Sequence, residues 1–149
     1  MKIKPRRSFI RGLTLIEIES VAHSLARELM EWDEPIPPFN TRFPDRLESC
    51  LKNPFQKFGG KSLYPRLEDK AAILFYLMIK NHPFQNGNKR VAVMTLLYFL
   101  AQNQRWLTVK NELMYIFATG IAKSDPKNKD EIIKNTKSFL RKHIVKQDL

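Results

Sequence analysis

Along most of this chain apolar residues recur every three to four positions, and strict alternation is nowhere sustained, which predicts helices rather than strands. Thr14-Leu15-Ile16-Glu17 reads as a capping box opening a first helix, with Leu15, Ile18, Val21, Ala22, Leu25, Leu29 and Trp32 forming its buried stripe. Glu34-Pro35-Ile36-Pro37-Pro38 stops that helix, because proline donates no intrahelical bond and constrains its predecessor. Pro44 suits the first turn of a short helix over about Asp45 to Leu51, which Asn53 and Pro54 end. The pattern next predicts a helix from about Leu67 to Lys80 with Ala71, Ala72, Leu74, Phe75, Leu77 and Met78 inward. His82 precedes proline and is biased away from the helical region, so this helix should stop near Asn81.

A second core helix, from Gly87 or Asn88 to about Asn103, is apolar nearly all round and so should be enclosed by other helices. Thr108 is placed to cap a further helix to about Lys123, and Ser124-Asp125-Pro126 breaks the chain. The last helix, about Lys129 to Val145, should bury Ile132, Ile133, Thr136, Phe139, Leu140 and Ile144. The expectation is a single all-α domain over residues 1–149, a bundle around a central buried helix, with residues 1–12 as a basic N-terminal arm. Between the short helix and the first core helix, residues 55–64 bring Lys57, Phe58, Gly59 and Gly60 together. They read as a connecting loop or as a small hairpin flap whose free edge could pair with an extended peptide.

Composition narrows the class. An apolar fraction of 43% belongs to a folded globular chain. The formal charge of +11, from 26 Lys and Arg against 15 Asp and Glu, suits an acidic partner such as a nucleotide or nucleic acid. The lysines are scattered and gather at both ends, which favours a solvated surface over a nucleic-acid footprint. Neither apolar segment reaches the roughly 18 residues that cross a bilayer, and the basic start leads into no apolar signal core. A lone cysteine, Cys50, forms no internal disulfide, so a reducing cytoplasm is the expected compartment and a small hydrophobe its expected role.

The chemistry concentrates in His82-Pro83-Phe84-Gln85-Asn86-Gly87-Asn88-Lys89-Arg90, between the two core helices. The plainer reading is a turn whose basic residues cap its neighbours. The sharper one is a loop feeding the N-terminus of a buried helix, where backbone N–H groups and the dipole favour a phosphate. Cations at that end are electrostatically unfavourable unless an anion offsets them, which favours the sharper reading.

These nine residues resemble the Fic/Doc family, whose motif runs His-x-Phe, a spacer, an acidic or amide residue, a small residue, Asn and a basic pair or Gly-Arg. The Asn88-Lys89-Arg90 ending is similar to the death-on-curing (Doc) branch, where the adenylylating branch has Gly-Asn-Gly-Arg. The likeness extends upstream to Asn53-Pro54-Phe55-Gln56, Phe58-Gly59-Gly60 and Tyr64-Pro65, and covers roughly residues 14–110. It implies a Fic-type helical bundle and a nucleotide-dependent transfer to a protein hydroxyl.

In that reading His82 is the general base, since an imidazole exchanges its proton near neutral pH. Phe84 plugs the core, and Gly87 lets the backbone approach phosphate without a Cβ in the way. Asn88, Lys89 and Arg90 meet the phosphates. The Doc branch implies ATP as co-substrate, Mg2+, and transfer of the γ-phosphate to an elongation factor Tu-like translation protein. It also implies a trans-acting antitoxin that neutralises the enzyme. The alternatives are AMP transfer to a protein hydroxyl, or a non-catalytic module that binds nucleotide or nucleic acid.

Two departures qualify the likeness. Asn86 stands where many relatives place an acidic magnesium ligand, and an amide brings no charge to the ion. Val93 stands where the adenylylating pattern has a further arginine. Ser24 and Glu28 have the spacing of the family's inhibitory helix, but Leu29 follows where Gly or Asn is expected, so the spacing is read as chance.

Overall fold

A computed structural model describes residues 9–30 and 35–147. Thr14 opens the first helix with the reciprocal bonds of a capping box, its hydroxyl accepting from the Glu17 N–H and the Glu17 carboxylate accepting from the Thr14 N–H. The helix is composite: α1 (Leu15–Glu17), a π-helical segment (Ile18–His23) and α2 (Ser24–Leu29). A π segment closes i→i+5 bonds, so the stripe drawn at 3.6 residues per turn is rotated. Ile18, Ala22, His23 and Ala26 are buried, whereas Leu15 and Leu29 are exposed, contrary to the pattern-based expectation. Trp32 and most of the basic arm lie outside the described residues. The arm's described end is tied down: Asn103 accepts from the Arg11 N–H at 2.8 Å and donates to its carbonyl at 3.1 Å.

α3 (Pro44–Lys52) has its proline in the first turn, as expected. It leads through a 3₁₀ turn to a hairpin of β1 (Lys57–Phe58) and β2 (Lys61–Ser62). Lys57 pairs with Ser62 and Phe58 with Lys61. Gly59 and Gly60 take φ of 58° and 79°, the left-handed pair that a tight two-residue hairpin turn requires. Residues 55–64 therefore contain a hairpin rather than a plain loop.

α4 (Leu67–Lys80) and α5 (Asn88–Gln102) form the centre, with α4 packed against α5, α6 (Asn111–Lys123) and α7 (Lys129–His143). Every residue of α4 from Asp69 to Ile79 is buried, so the most enclosed helix is the one before the polar loop. On α5, Val91, Ala92, Val93, Leu96, Phe99 and Leu100 face the core, while Met94, Leu97 and Tyr98 are only partly covered. Lys137 of α7 meets the Asp69 carboxylate of α4 at 2.7 Å. Cys50 is fully buried, and burial pushes its thiol up to about 12, so it acts as an inert hydrophobe.

Two features at the C-terminal side depart from the pattern. Thr108 does not cap a helix; its N–H and hydroxyl both donate to the His143 carbonyl, at 3.0 and 3.1 Å, and α6 begins later at Asn111. The last helix ends at His143, because Ile144–Lys146 forms β4 and pairs antiparallel with β3 (Arg105–Leu107). A ladder of three residue pairs is too short to carry a period-two signal. On α7, Thr136 and Leu140 are buried, and Ile132, Ile133 and Phe139 are half-covered. Among the described residues the architecture is all-α with two minimal ladders.

Candidate active site

The polar loop runs from the end of α4 to the start of α5. Pro83 forbids His82 a helical conformation, and His82 instead takes the left-handed region at φ 47°, which ends α4 sharply. A non-glycine residue there is strained by about 1–2 kcal/mol, so other contacts must hold it. α3 supplies them. The Pro83 carbonyl accepts from the Phe43 N–H at 2.8 Å, and the His82 carbonyl accepts from the Arg46 guanidinium at 3.3 Å.

Phe84, 3% exposed, plugs into the core against His23 and Phe39, with ring centroids 5.3 and 6.0 Å away. Asn88 brackets it. Its Oδ1 accepts from the Phe84 N–H and its Nδ2 donates to the Phe84 carbonyl, both at 2.9 Å. The same Nδ2 lies 3.5 Å from His82 Nδ1, at the outer limit of a hydrogen bond. The Asn88 side chain thus organises the loop, joining the plug, the histidine and the helix start.

Gly87 precedes α5 at φ 78°. A Cβ there would stand 2.6 Å from Ile36 Cγ1, so glycine is required both by conformation and by contact. Ile36, 4% exposed, belongs to the proline-rich segment and packs over the loop. His23 fixes that segment. Because the Pro37 carbonyl only accepts, the ring donates from Nε2 at 3.0 Å, and burial holds its pKa below the ordinary histidine value. The spacing of apolar positions gives no sign of the contact between His23 and the loop, nor of the roles of Ile36, Phe39, Phe43 and Arg46. An apolar residue between prolines was the one available hint for Ile36.

These elements open onto a cleft of about 520 Å³, lined by Ile79, His82, Gln85, Asn86, Gly87, Asn88, Lys89, Arg90 and Ala122. That volume lies within the usual range for small-molecule sites. The sequence-predicted residues His82, Asn86, Gly87, Asn88, Lys89 and Arg90 therefore share one concave surface at the positive end of α5. Arg90 is 3% exposed, and Lys89 stands with Nζ 5.6 Å from the Tyr115 ring centroid on α6. The hairpin residues Lys57, Phe58, Gly59 and Gly60 are not part of this lining. Val93 is buried inside the bundle. Ser24 and Glu28 line a different cavity of about 430 Å³, beside Glu19, His23, Arg27 and Phe39.

For a triphosphate the donor set fits: a helix N-terminus, an ammonium, a guanidinium and a glycine where backbone can approach. For magnesium it fits poorly. The lining holds no carboxylate, and the Asn86 Oδ1 already accepts from the Gly87 N–H at 2.8 Å. Among the described residues no three His, Cys, Asp or Glu come together.

Gly87→Ala should cost about 1–3 kcal/mol, from the positive φ and the collision with Ile36, as measured by urea denaturation. His23→Phe keeps an aromatic ring between Phe39 and Phe84 but removes the bond to Pro37, so it should be the less stable protein at pH 7.5. The wild type loses stability as pH falls from the unfolded-state value of 6.5 through the lowered folded-state pKa of His23, because the unfolded chain binds the proton more readily. The phenylalanine variant lacks that loss, so the stability gap between the two should narrow at pH 5.5 in paired denaturation curves.

Comparisons with known proteins agree with this geometry. The model of the Fic/DOC family matches residues 14–100, more than half of the chain. Toxin Doc of Mycolicibacterium smegmatis is 39% identical over 57 residues, 38% of this chain and 44% of that relative. The match thus spans less than half the length of that curated relative. No solved structure matches. A family match extending from the capped first helix through α5, with the whole His82-to-Arg90 motif gathered on one cleft, shows that the chain belongs to the Fic/DOC family.

Proposed function

We propose that this protein is a Doc-type toxin that transfers the γ-phosphate of ATP to a hydroxyl of a translation protein, one resembling elongation factor Tu. A cognate antitoxin would neutralise it in trans. The observation that carries the reading is the convergence of His82, Lys89 and Arg90 on one cleft at the start of α5. The target hydroxyl oxygen forms a bond to the γ-phosphorus as the bond from that phosphorus to the β–γ bridging oxygen breaks. The hydroxyl proton passes to the His82 imidazole, and ADP leaves with the electron pair. Lys89, Arg90 and the helix N-terminus stabilise the charge on the phosphates, and such transfer needs placement and charge stabilisation more than covalent chemistry.

Lys89 supports γ- over α-transfer. Its side chain stands at the helix start, where the adenylylating pattern has glycine and leaves room for inner phosphates. Val93 supports the same choice, since it supplies no further guanidinium. The acidic antitoxin of such a pair would be drawn to a chain of formal charge +11. Magnesium would be held chiefly by phosphate oxygens, with only the second lone pair of Asn86 Oδ1 left to it after the bond from Gly87 N–H.

Incubation of the protein and a cell lysate with γ-labelled ATP should label a protein band, and α-labelled ATP should not; label from the α position alone would overturn γ-transfer in favour of AMP transfer. His82→Ala should reduce the labelling rate about 10²–10⁴-fold, the usual contribution of a general base, with an unchanged circular dichroism spectrum. Asn86→Asp keeps an acceptor for the Gly87 N–H and adds charge, so it should lower the Mg2+ concentration giving half-maximal transfer severalfold. An unshifted magnesium titration would remove Asn86 from the ligand set.

A further inference from the structure

Along the sequence the cations gather at the two ends, a pattern that reads as solvated surface. Residues 1–12 carry Lys2, Lys4, Arg6, Arg7 and Arg11, residues 132–147 carry Lys134, Lys137, Arg141, Lys142 and Lys146, and neither stretch holds a carboxylate. The fold brings described parts of both stretches to one corner, just beyond the end of α5. Asn103 exchanges two hydrogen bonds with the Arg11 backbone, and the Gln104 carbonyl accepts from the Gln147 N–H at 3.1 Å. Next to these ties, Arg105 and Lys146 stand directly opposite each other in the β3–β4 ladder. Like charges so placed repel, and an anion lying across the pair relieves the repulsion.

The same corner holds a cavity of about 390 Å³ whose lining includes Phe9, Arg66, Gln104 and Arg105. Phe9 is 91% exposed, and Trp106, on the opposite face of the ladder from Arg105, is 39% exposed. One carboxylate lies close by: Glu68 stands 3.9 Å from the Arg66 guanidinium and 3.6 Å from that of Arg141. Ion pairs of this kind at a surface are weak, so the corner keeps a net positive charge. Bare aromatic rings set among cations are what a single-stranded nucleic acid needs, since phosphates meet the charges and unpaired bases stack on the rings. An acidic peptide would use the cations and leave both rings idle, and a duplex keeps the faces of its bases hidden. The corner lies at the far end of the bundle from the cleft, because α4 separates Arg66 from His82 by roughly 20 Å at 1.5 Å per residue.

We propose that this corner, built from Arg66, Arg105 and Lys146 with Phe9 and Trp106, binds single-stranded RNA independently of the cleft that holds His82. RNA is the nucleic acid whose unpaired segments proteins take up by stacking on aromatic side chains. The probe is a fluorescein-labelled oligouridine of about twelve nucleotides, followed by fluorescence anisotropy without ATP. Between about 50 and 200 mM salt, log K should fall against log salt with a slope near −3, as about four phosphate contacts require. Arg105→Gln combined with Lys146→Gln should weaken binding at least about tenfold and make that slope shallower by about 1.4. It should not lower the urea midpoint, because it removes a repulsive pair. Lys146→Gln alone, at an exposed position, should give half the change in slope and serves if the double variant does not fold. Trp106→Ala should weaken binding about tenfold with the slope unmoved, since stacking releases no ions. His82→Ala should bind as the wild type does, and loss of binding there would place the RNA in the cleft and overturn the corner. Absence of saturable binding, an unchanged affinity in Trp106→Ala, or equal displacement by polyglutamate of matched charge would each overturn RNA recognition. Tighter binding of the matched oligothymidine would overturn the choice of RNA over DNA. No outcome depends on the transfer chemistry proposed above, because ATP is absent throughout.

Discussion

The site depends on the way Asn88 grips the backbone of Phe84. Two hydrogen bonds at 2.9 Å, one accepted and one donated, join the first residue of α5 to the residue that plugs the core. They leave the loop between His82 and the helix little freedom to change length or pitch. His82 can then occupy a left-handed conformation at the end of α4, and Gly87 another at the start of α5, without the segment drifting between alternatives. Groups held this way need no reorganisation when charge develops near them, which is where electrostatic stabilisation is most effective.

Around that grip lies a layer that does not itself line the cleft but braces the residues that do. Ile36 presses on Gly87, His23 and Phe39 enclose Phe84, and Phe43 and Arg46 hold the carbonyls of Pro83 and His82. Three separate stretches of chain thus converge on nine residues. The arrangement resembles the support of metal ligands by their neighbours: the residues that line the cleft are few, and their aim is set by side chains behind them. The histidine of this layer, His23, is buried, and burial holds its pKa below the ordinary histidine value.

The cation placement carries a second lesson. Lys89 and Arg90 open a helix that their charges disfavour, and Lys70 does the same on α4. In each place the mismatch marks something outside the helix's own stability. For Lys70 it is three oxygens around the hairpin's feet, which the structure displays. Lys89 and Arg90 both line the cleft, and Lys89 also stands over the Tyr115 ring.

Local physics made much of this protein legible in its sequence. The capping box at Thr14, the stop at His82-Pro83 and the bounds of α4 and α5 all follow from interactions among residues a few positions apart, whereas residues 55–64 read equally as a loop until the structure paired them. The motif residues were legible for the same reason, since a single loop carries them. Folding in three dimensions decided what those signals could not reach. The π segment turned Leu15 and Leu29 outward and His23 inward; residues 144–146 became a strand because Arg105–Leu107 lay beside them; and Thr108 spent its hydroxyl on His143 instead of a helix. Ile36 meets Gly87, and Lys70 meets Pro54, across gaps that no periodicity spans. Hydrophobic spacing reports only which face of an element is covered, and the identity of the partner that covers it is fixed when distant segments pack.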